Sequence, residues 1–210
     1  MILSPAWKGR KYAVLGLART GRATVEALLA AGAEVTAWDS NEDAREAFAG
    51  RVTLADPVET DLTGFGAVLV TPGVPLNTHP IKPHADSFGV PVIGDIELFA
   101  ESARAPVIAI TGTNGKSTVT LLVAEMLEAA GIVTCCGGNL GPPALDLIQN
   151  DEPEIYVLEL SSFQLELTRT LAPRVACILN VSPDHLDRHG SFDNYLRIKA
   201  RILAGAEAAV

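Results

Sequence analysis

Val107-Ile108-Ala109-Ile110-Thr111-Gly112-Thr113-Asn114-Gly115-Lys116-Ser117-Thr118 reads as a buried strand running into a glycine-rich loop and then a helix. The apolar run covers 106–110 and is continuous rather than alternating, as a strand covered on both faces requires. The glycines let backbone N–H groups curl around phosphate oxygens, and the start of the following helix (116–130) adds partial positive charge. Lys116 can reach β- and γ-phosphates, and the hydroxyl of Ser117 or Thr118 can meet Mg²⁺. The longer GxxxxGK[ST] form would need glycine where Ile110 stands, so the match is to a shorter GTNGKS/T loop.

Outward from this loop the same grammar repeats. Downstream, apolar runs at 132–136, 155–160 and 175–179 each end in polar or glycine residues, and 194–203 reads as a helix. Upstream, a run at 12–15 ends in Gly16, a helix spans 20–31, and Gly32 suits a left-handed helix end. Runs at 34–38, 52–54, 67–71 and 90–93 follow. Two cycles of strand, glycine turn and helix predict an α/β protein with two doubly wound parallel sheets, one Rossmann-like and one P-loop-like. The expected domains are 1–103 and 104–210, joined near 102–105. Residues 208–210 resemble the opening of another buried strand, so the second domain is expected to be truncated.

Composition narrows the function classes. The chain has 210 residues, 48% hydrophobic and 20% charged, an ordinary globular balance. The net charge is −9, carried as −4 by residues 1–105 and −5 by the rest, with no cluster of basic residues among aromatics. Duplex nucleic acid is therefore excluded as a partner. No apolar run is long enough for a membrane span, and the start shows no signal-peptide pattern. Cys135, Cys136 and Cys177 fit neither a redox nor a zinc spacing and are expected as reduced core thiols of a cytoplasmic protein.

Three further segments carry candidate chemistry. Gly16-Leu17-Ala18-Arg19-Thr20-Gly21 has Ala18 where a dinucleotide loop has its middle glycine, and Asp39 stands where such a fold binds ribose. A nicotinamide or flavin site, another nucleotide site and plain close packing all fit it. Ser182-Pro183-Asp184-His185-Leu186-Asp187-Arg188-His189 gathers four metal-ligand side chains after a strand, and a capped polar turn fits equally. Glu159 lies in an otherwise apolar run, so its carboxylate needs a partner such as a cation or a metal. His79 and His84, on an expected helical segment, read as surface or packing residues.

ITGTNGKSTVT (110–120), GGNLG (137–141), VLELSSFQLE (157–166), ILNVSPDHLDRHGSFDNYLRIK (178–199), VTPGVPLNTHP (70–80) and VPVIGDIELF (90–99) together resemble the Mur ligase family. The resemblance runs from about residue 8 to the end. ELSSFQLE and GDIELF resemble the member that adds D-glutamate. The resemblance implies an ATP-dependent amide ligase of peptidoglycan synthesis, acting on UDP-N-acetylmuramoyl-L-alanine and D-glutamate through an acyl phosphate. The alternatives are another Mur- or folylpolyglutamate-type ligase and a UDP-sugar-binding module without catalysis. Three domains are implied, of which this chain resembles the first and part of the second. ATP and Mg²⁺ are the implied cofactors, and the protein is expected to be a cytoplasmic monomer. Gly112, Thr113, Asn114, Gly115, Lys116, Ser117 and Thr118 would bind ATP phosphates. Ser117, Glu159, His185 and a carbamylated Lys199 would hold Mg²⁺, with Lys116, His185 and Lys199 catalytic. Thr20, Asp39, Ser40, Thr71, Gly73 and Asn139 would contact the UDP-sugar.

Overall fold

The computed structural model describes residues 3–148 and 152–210; the first two residues of the expected leaderless start lie outside them. Two compact units divide the chain, one over Leu3–Asp95 and one over Ile96–Val210.

In the first unit β1 (Lys11–Leu15), α1 (Arg19–Ala30), β2 (Glu34–Trp38), α2 (Glu42–Glu46), β3 (Thr53–Leu54), β4 (Phe65–Val70), α3 (Ile81–Ser87) and β5 (Val92–Ile93) follow in order. The strands form one parallel sheet in the order β3-β2-β1-β4-β5. Tyr12, Ala13, Val14 and Leu15 are buried, as are Ala67, Val68, Leu69 and Val70. Four consecutive buried residues leave no solvent face on these strands, which accounts for their unbroken apolar runs. The chain leaves β1 toward β2 and later returns to β4 on the other side. The carboxyl ends of β1 and β4 thus flank the point where the winding reverses, the usual crevice for a ligand. Gly32 caps α1 with φ 78°. His84 lies on α3, and its Nε2 is 3.0 Å from the Thr60 carbonyl; His79 precedes the helix, and its Nδ1 accepts from the Ile81 N–H at 3.2 Å.

The second unit contains α4 (Asp95–Ser102), β6 (Val107–Thr111), α5 (Lys116–Ala129), β7 (Thr134–Gly138), β8 (Ile155–Glu159), α6 (Ser162–Glu166), β9 (Val175–Ile178), α7 (Leu186–His189), α8 (Phe192–Ala200) and β10 (Ala208–Ala209). Its parallel sheet runs β10-β9-β6-β8-β7. Nearly all of α4 packs with this unit rather than the first. Phe99 stands edge-on to Tyr156 of β8, and the Glu97 carboxylate accepts from the N–H groups of Arg169 and Thr170 at 2.7 and 3.1 Å. The divide therefore falls after the first residue of the helix, upstream of 102–105. Residues 208–210 do begin a strand, but it is an exposed edge paired only to β9 within the described residues, not a buried one. The three cysteines are free and half-buried rather than core residues. Cys136 and Cys177 lean on the cluster of Ile110, Ala124 and Val157, and burial raises all three thiols.

Candidate active site

The loop after β6 is shaped by what lies under it. A Cβ on Gly112 would meet Leu179 Cβ at 3.2 Å and the Asn114 carbonyl at 3.4 Å. Gly115 turns the chain into α5 with φ 80°, a conformation that costs other residues about 1–2 kcal/mol. By helix geometry the N–H groups of Lys116, Ser117 and Thr118 have no intrahelical acceptor. They form an anion-receiving end backed by the helix dipole. The N–H groups of Thr113 and Asn114 are engaged instead, by the Asn180 carbonyl (3.1 Å) and Asn180 Oδ1 (3.0 Å).

Two lysines converge on the carbonyl of Gly112. Lys116 Nζ donates to it and to the Thr113 carbonyl, both at 3.0 Å. Lys199, on α8, donates to the same oxygen at 2.8 Å and to Thr111 Oγ1 at 3.3 Å, over the Tyr195 ring. Lys199 is 1% exposed. Burial first, and the Lys116 ammonium second, push its amine down to about 8. Among the described residues neither lysine pairs with a carboxylate, so the loop floor is a concentration of positive charge in an acidic protein.

Glu159 ends β8 beside this floor, 2% exposed. One oxygen accepts from Ser117 Oγ at 2.7 Å and the other from Asn139 Nδ2 at 2.6 Å. The partner expected as a cation or metal is thus, in the protein itself, a pair of neutral donors. Asn139 belongs to the second unit and to this carboxylate, whereas Thr20, Asp39, Ser40, Thr71 and Gly73 belong to the first unit.

His185 begins α7 with φ 49°, the one non-glycine residue with positive φ among those described. Its ring lies 4.9 Å from that of Phe163 on α6, and its Nε2 is 3.5 Å from Asp184. His189, the other histidine of this segment, is buried against Ser162 Oγ at 3.0 Å, and burial lowers its pKa. Helix α6 itself starts with a capping box between Ser161 and Gln164, a signal present in the sequence as S-x-x-Q.

The first unit's loop is built differently. A Cβ on Gly16 would overlap Thr71 Oγ1, and one on Gly21 would overlap the Gly16 carbonyl. Ala18 caps α1 with φ −66° and ψ −172°, which any residue adopts, so no middle glycine is needed. Asp39 accepts from the Leu17 N–H at 2.6 Å and the Asn41 N–H at 2.9 Å. Arg45 lies over the Trp38 ring and donates to the carbonyls of Asp39 and Ser40. A loop amide already held by an acid is a poor seat for a dinucleotide pyrophosphate, which argues against the nicotinamide reading. Thr20 lies in the first turn of α1, and Gly73 faces open space.

Residues 110–210 match the Mur ligase middle domain. The chain is 57% identical over 209 residues to the UDP-N-acetylmuramoylalanine–D-glutamate ligase of Novosphingobium aromaticivorans, covering 97% of this chain and 47% of that protein. It is 56% identical to the enzyme of the same name from Sphingopyxis alaskensis, over 97% of this chain and 48% of the relative. The chain belongs to the Mur ligase family. It spans about half the length of the curated relatives it matches. Solved Mur ligases share the fold. The UDP-N-acetylmuramate:L-alanyl-gamma-D-glutamyl-meso-diaminopimelate ligase from Neisseria meningitides superposes with a TM-score of 0.59 at 16% identity, covering 94% of this chain and 68% of that one. The UDP-N-acetylmuramate-alanine ligase from Thermotoga maritima gives 0.53 at 20%, covering 95% and 48%.

The donor set of this Mur ligase chain suits a hard divalent cation. Glu159 and Ser117 offer adjacent oxygens at the end of the phosphate loop. Mg²⁺ characteristically takes one or two carboxylates and completes its shell with water and phosphate oxygens. Among the described residues no three His, Cys, Asp or Glu side chains cluster as a metal-holding group. No helix of the described residues is long and apolar enough to cross a membrane.

Proposed function

We propose that this chain carries the UDP-sugar-binding unit and part of the ATP-binding unit of a ligase that joins D-glutamate to UDP-N-acetylmuramoyl-L-alanine in peptidoglycan synthesis. Lys116 beneath an open helix N-terminus, with Ser117 and Glu159 beside it, carries the ATP half of this reading. The names of the relatives supply the substrates. Residues 112–118 receive the phosphates of ATP, and Lys116 offsets the charge on the γ-phosphate as it transfers. The substrate carboxylate takes that phosphoryl group and ADP leaves; the amine of D-glutamate attacks the acyl phosphate, losing a proton and releasing phosphate. Both steps crowd negative charge at one place, where preorganised cations are worth most. Ser117, Glu159, His185 and Lys199 would hold Mg²⁺, which when bound neutralises developing phosphate charge. Lys199 suits carbamylation because a buried amine lowered to about 8 has a usable neutral fraction near physiological pH. That amine adds to CO₂, forms an N–C bond and releases a proton.

In the first unit Thr20, Asp39, Ser40, Thr71 and Gly73 contact the UDP-sugar at the reversal of the winding. The enzyme works as a cytoplasmic monomer, where ATP and nucleotide sugars are available. The test is phosphate release from ATP by the full-length protein with each substrate omitted in turn. Release is expected only with UDP-N-acetylmuramoyl-L-alanine and D-glutamate both present. Release supported equally by L-alanine or a diamino acid would overturn the substrate assignment.

A further inference from the structure

Asn180 follows β9 and has no part in the chemistry assigned above. Its side-chain amide reaches across 66 residues of sequence to one residue of the phosphate loop. Asn114 N–H donates to Asn180 Oδ1, and Asn180 Nδ2 donates back to the Asn114 carbonyl, both at 3.0 Å. The backbone carbonyl of Asn180 accepts from Thr113 N–H at 3.1 Å. Two residues on, the Ser182 N–H donates to Thr113 Oγ1 at 3.0 Å, and that hydroxyl lies 3.2 Å from Tyr195 Oη.

One planar amide thus matches the donor and the acceptor of a single loop residue. The Asn114 N–H belongs to the peptide plane before it and the Asn114 carbonyl to the plane after it, so both planes are fixed. In a trans peptide the N–H points opposite to the C=O. Holding the Asn114 carbonyl therefore aims the Gly115 N–H away from Asn180 and sets the left-handed turn that opens α5. These bonds are exposed, and an exposed hydrogen bond adds little to stability. Their consequence is orientation.

We propose that Asn180 is a positioning residue for nucleotide binding: its side-chain amide latches Asn114 so that the N–H groups from Gly115 onward face the phosphates. The proposal rests on the reading of 112–118 as the phosphate loop. An aspartate could not replace it, since it offers two acceptors where one donor is needed.

The experiment uses the full-length protein and its Asn180→Ala, Asn180→Asp and Asn180→Gln variants. It measures the affinity for Mg-ATP, adenosine and UDP-N-acetylmuramoyl-L-alanine, together with Tm and amide hydrogen exchange at Asn114. For Asn180→Ala we expect Mg-ATP affinity to fall about tenfold, the size set by two lost hydrogen bonds. Adenosine and UDP-sugar affinities should stay unchanged, Tm should be preserved, and Asn114 should exchange faster. Asn180→Asp should fall at least as far, and Asn180→Gln, with the same amide on a longer arm, should recover part of the loss. Faster exchange with unchanged Mg-ATP affinity would overturn the latch, as would a parallel loss of all three ligands with a lowered Tm. A wild-type protein that binds no Mg-ATP would instead remove the phosphate-loop reading, and the latch with it.

Discussion

After β1 the chain turns at Gly16 into α1; after β6 it turns through Gly112 and Gly115 into α5. Both turns leave the middle strand of a parallel sheet, and both need glycine. Their surroundings diverge. At the first turn an acid, Asp39, holds the Leu17 amide, and the glycines are wedged against Thr71 and the backbone. At the second, two ammonium groups share the Gly112 carbonyl, and Gly115 has open space around it apart from Leu179 Cδ1 at 3.9 Å. The same backbone device is therefore set over opposite charge in the two units. The cationic turn suits a triphosphate, and the acidic turn suits the neutral, hydrogen-bonding part of a nucleotide.

The contrast breaks first, if it breaks, at Lys199. Lys199→Ala is expected to cut turnover of the full-length protein by at least about 10²–10³-fold, as for loss of one preorganised electrostatic partner. A small carboxylic acid should restore part of it. Steady-state phosphate release measures this, and an active variant indifferent to bicarbonate would refute the carbamate role. Lys116→Ala should weaken Mg-ATP by about 10- to 150-fold, the range for one charged hydrogen bond, with UDP-sugar affinity nearly intact. Titration calorimetry with each ligand reads both values. If the two fell together, the division of labour between the turns would be wrong.

The packing difference is open to a stability measurement. Gly16→Ala forces a Cβ into Thr71 at a positive φ and should cost about 2–3 kcal/mol, whereas Gly115→Ala should cost about 1–2 kcal/mol. Urea midpoints report both, and equal losses would mean the turns are equally wedged. The last effect concerns pH. Lys199 is lowered to about 8 from 10.5 in the folded protein, so the unfolded chain holds its proton to higher pH. Stability through this group therefore rises between about pH 8 and 10.5 and is constant well below pH 8. In CO₂-free buffer the Tm of wild type relative to Lys199→Met should climb across that window. A flat difference would make Lys199 an ordinary surface-like amine.

Much of this was legible because it is local. Loop 112–118 announces itself through residues within seven positions of one another, and the strand runs through unbroken apolar composition. The helix at Asp95–Ser102 escaped notice because Gly94 reads as an ending, although Ile96, Leu98 and Phe99 are each fully buried. The neutral partners of Glu159 were not legible, since Ser117 and Asn139 stand 42 and 20 residues away. Nor was Asn180, whose contacts are set by the neighbouring of β6 and β9 rather than by any spacing. His185 could be picked out by residue type, but not its left-handed backbone.

The bond from Lys199 to Gly112 spans 87 residues, and that from Asn180 to Asn114 spans 66. Loop closures of that size come late when a chain folds. During synthesis the glycine turn emerges from the ribosome well before the side chains that charge and hold it. Nucleotide affinity should consequently be weaker in nascent chains that stop short of α8 than in those that include it, which makes ATP capture a reporter of when α8 joins the loop.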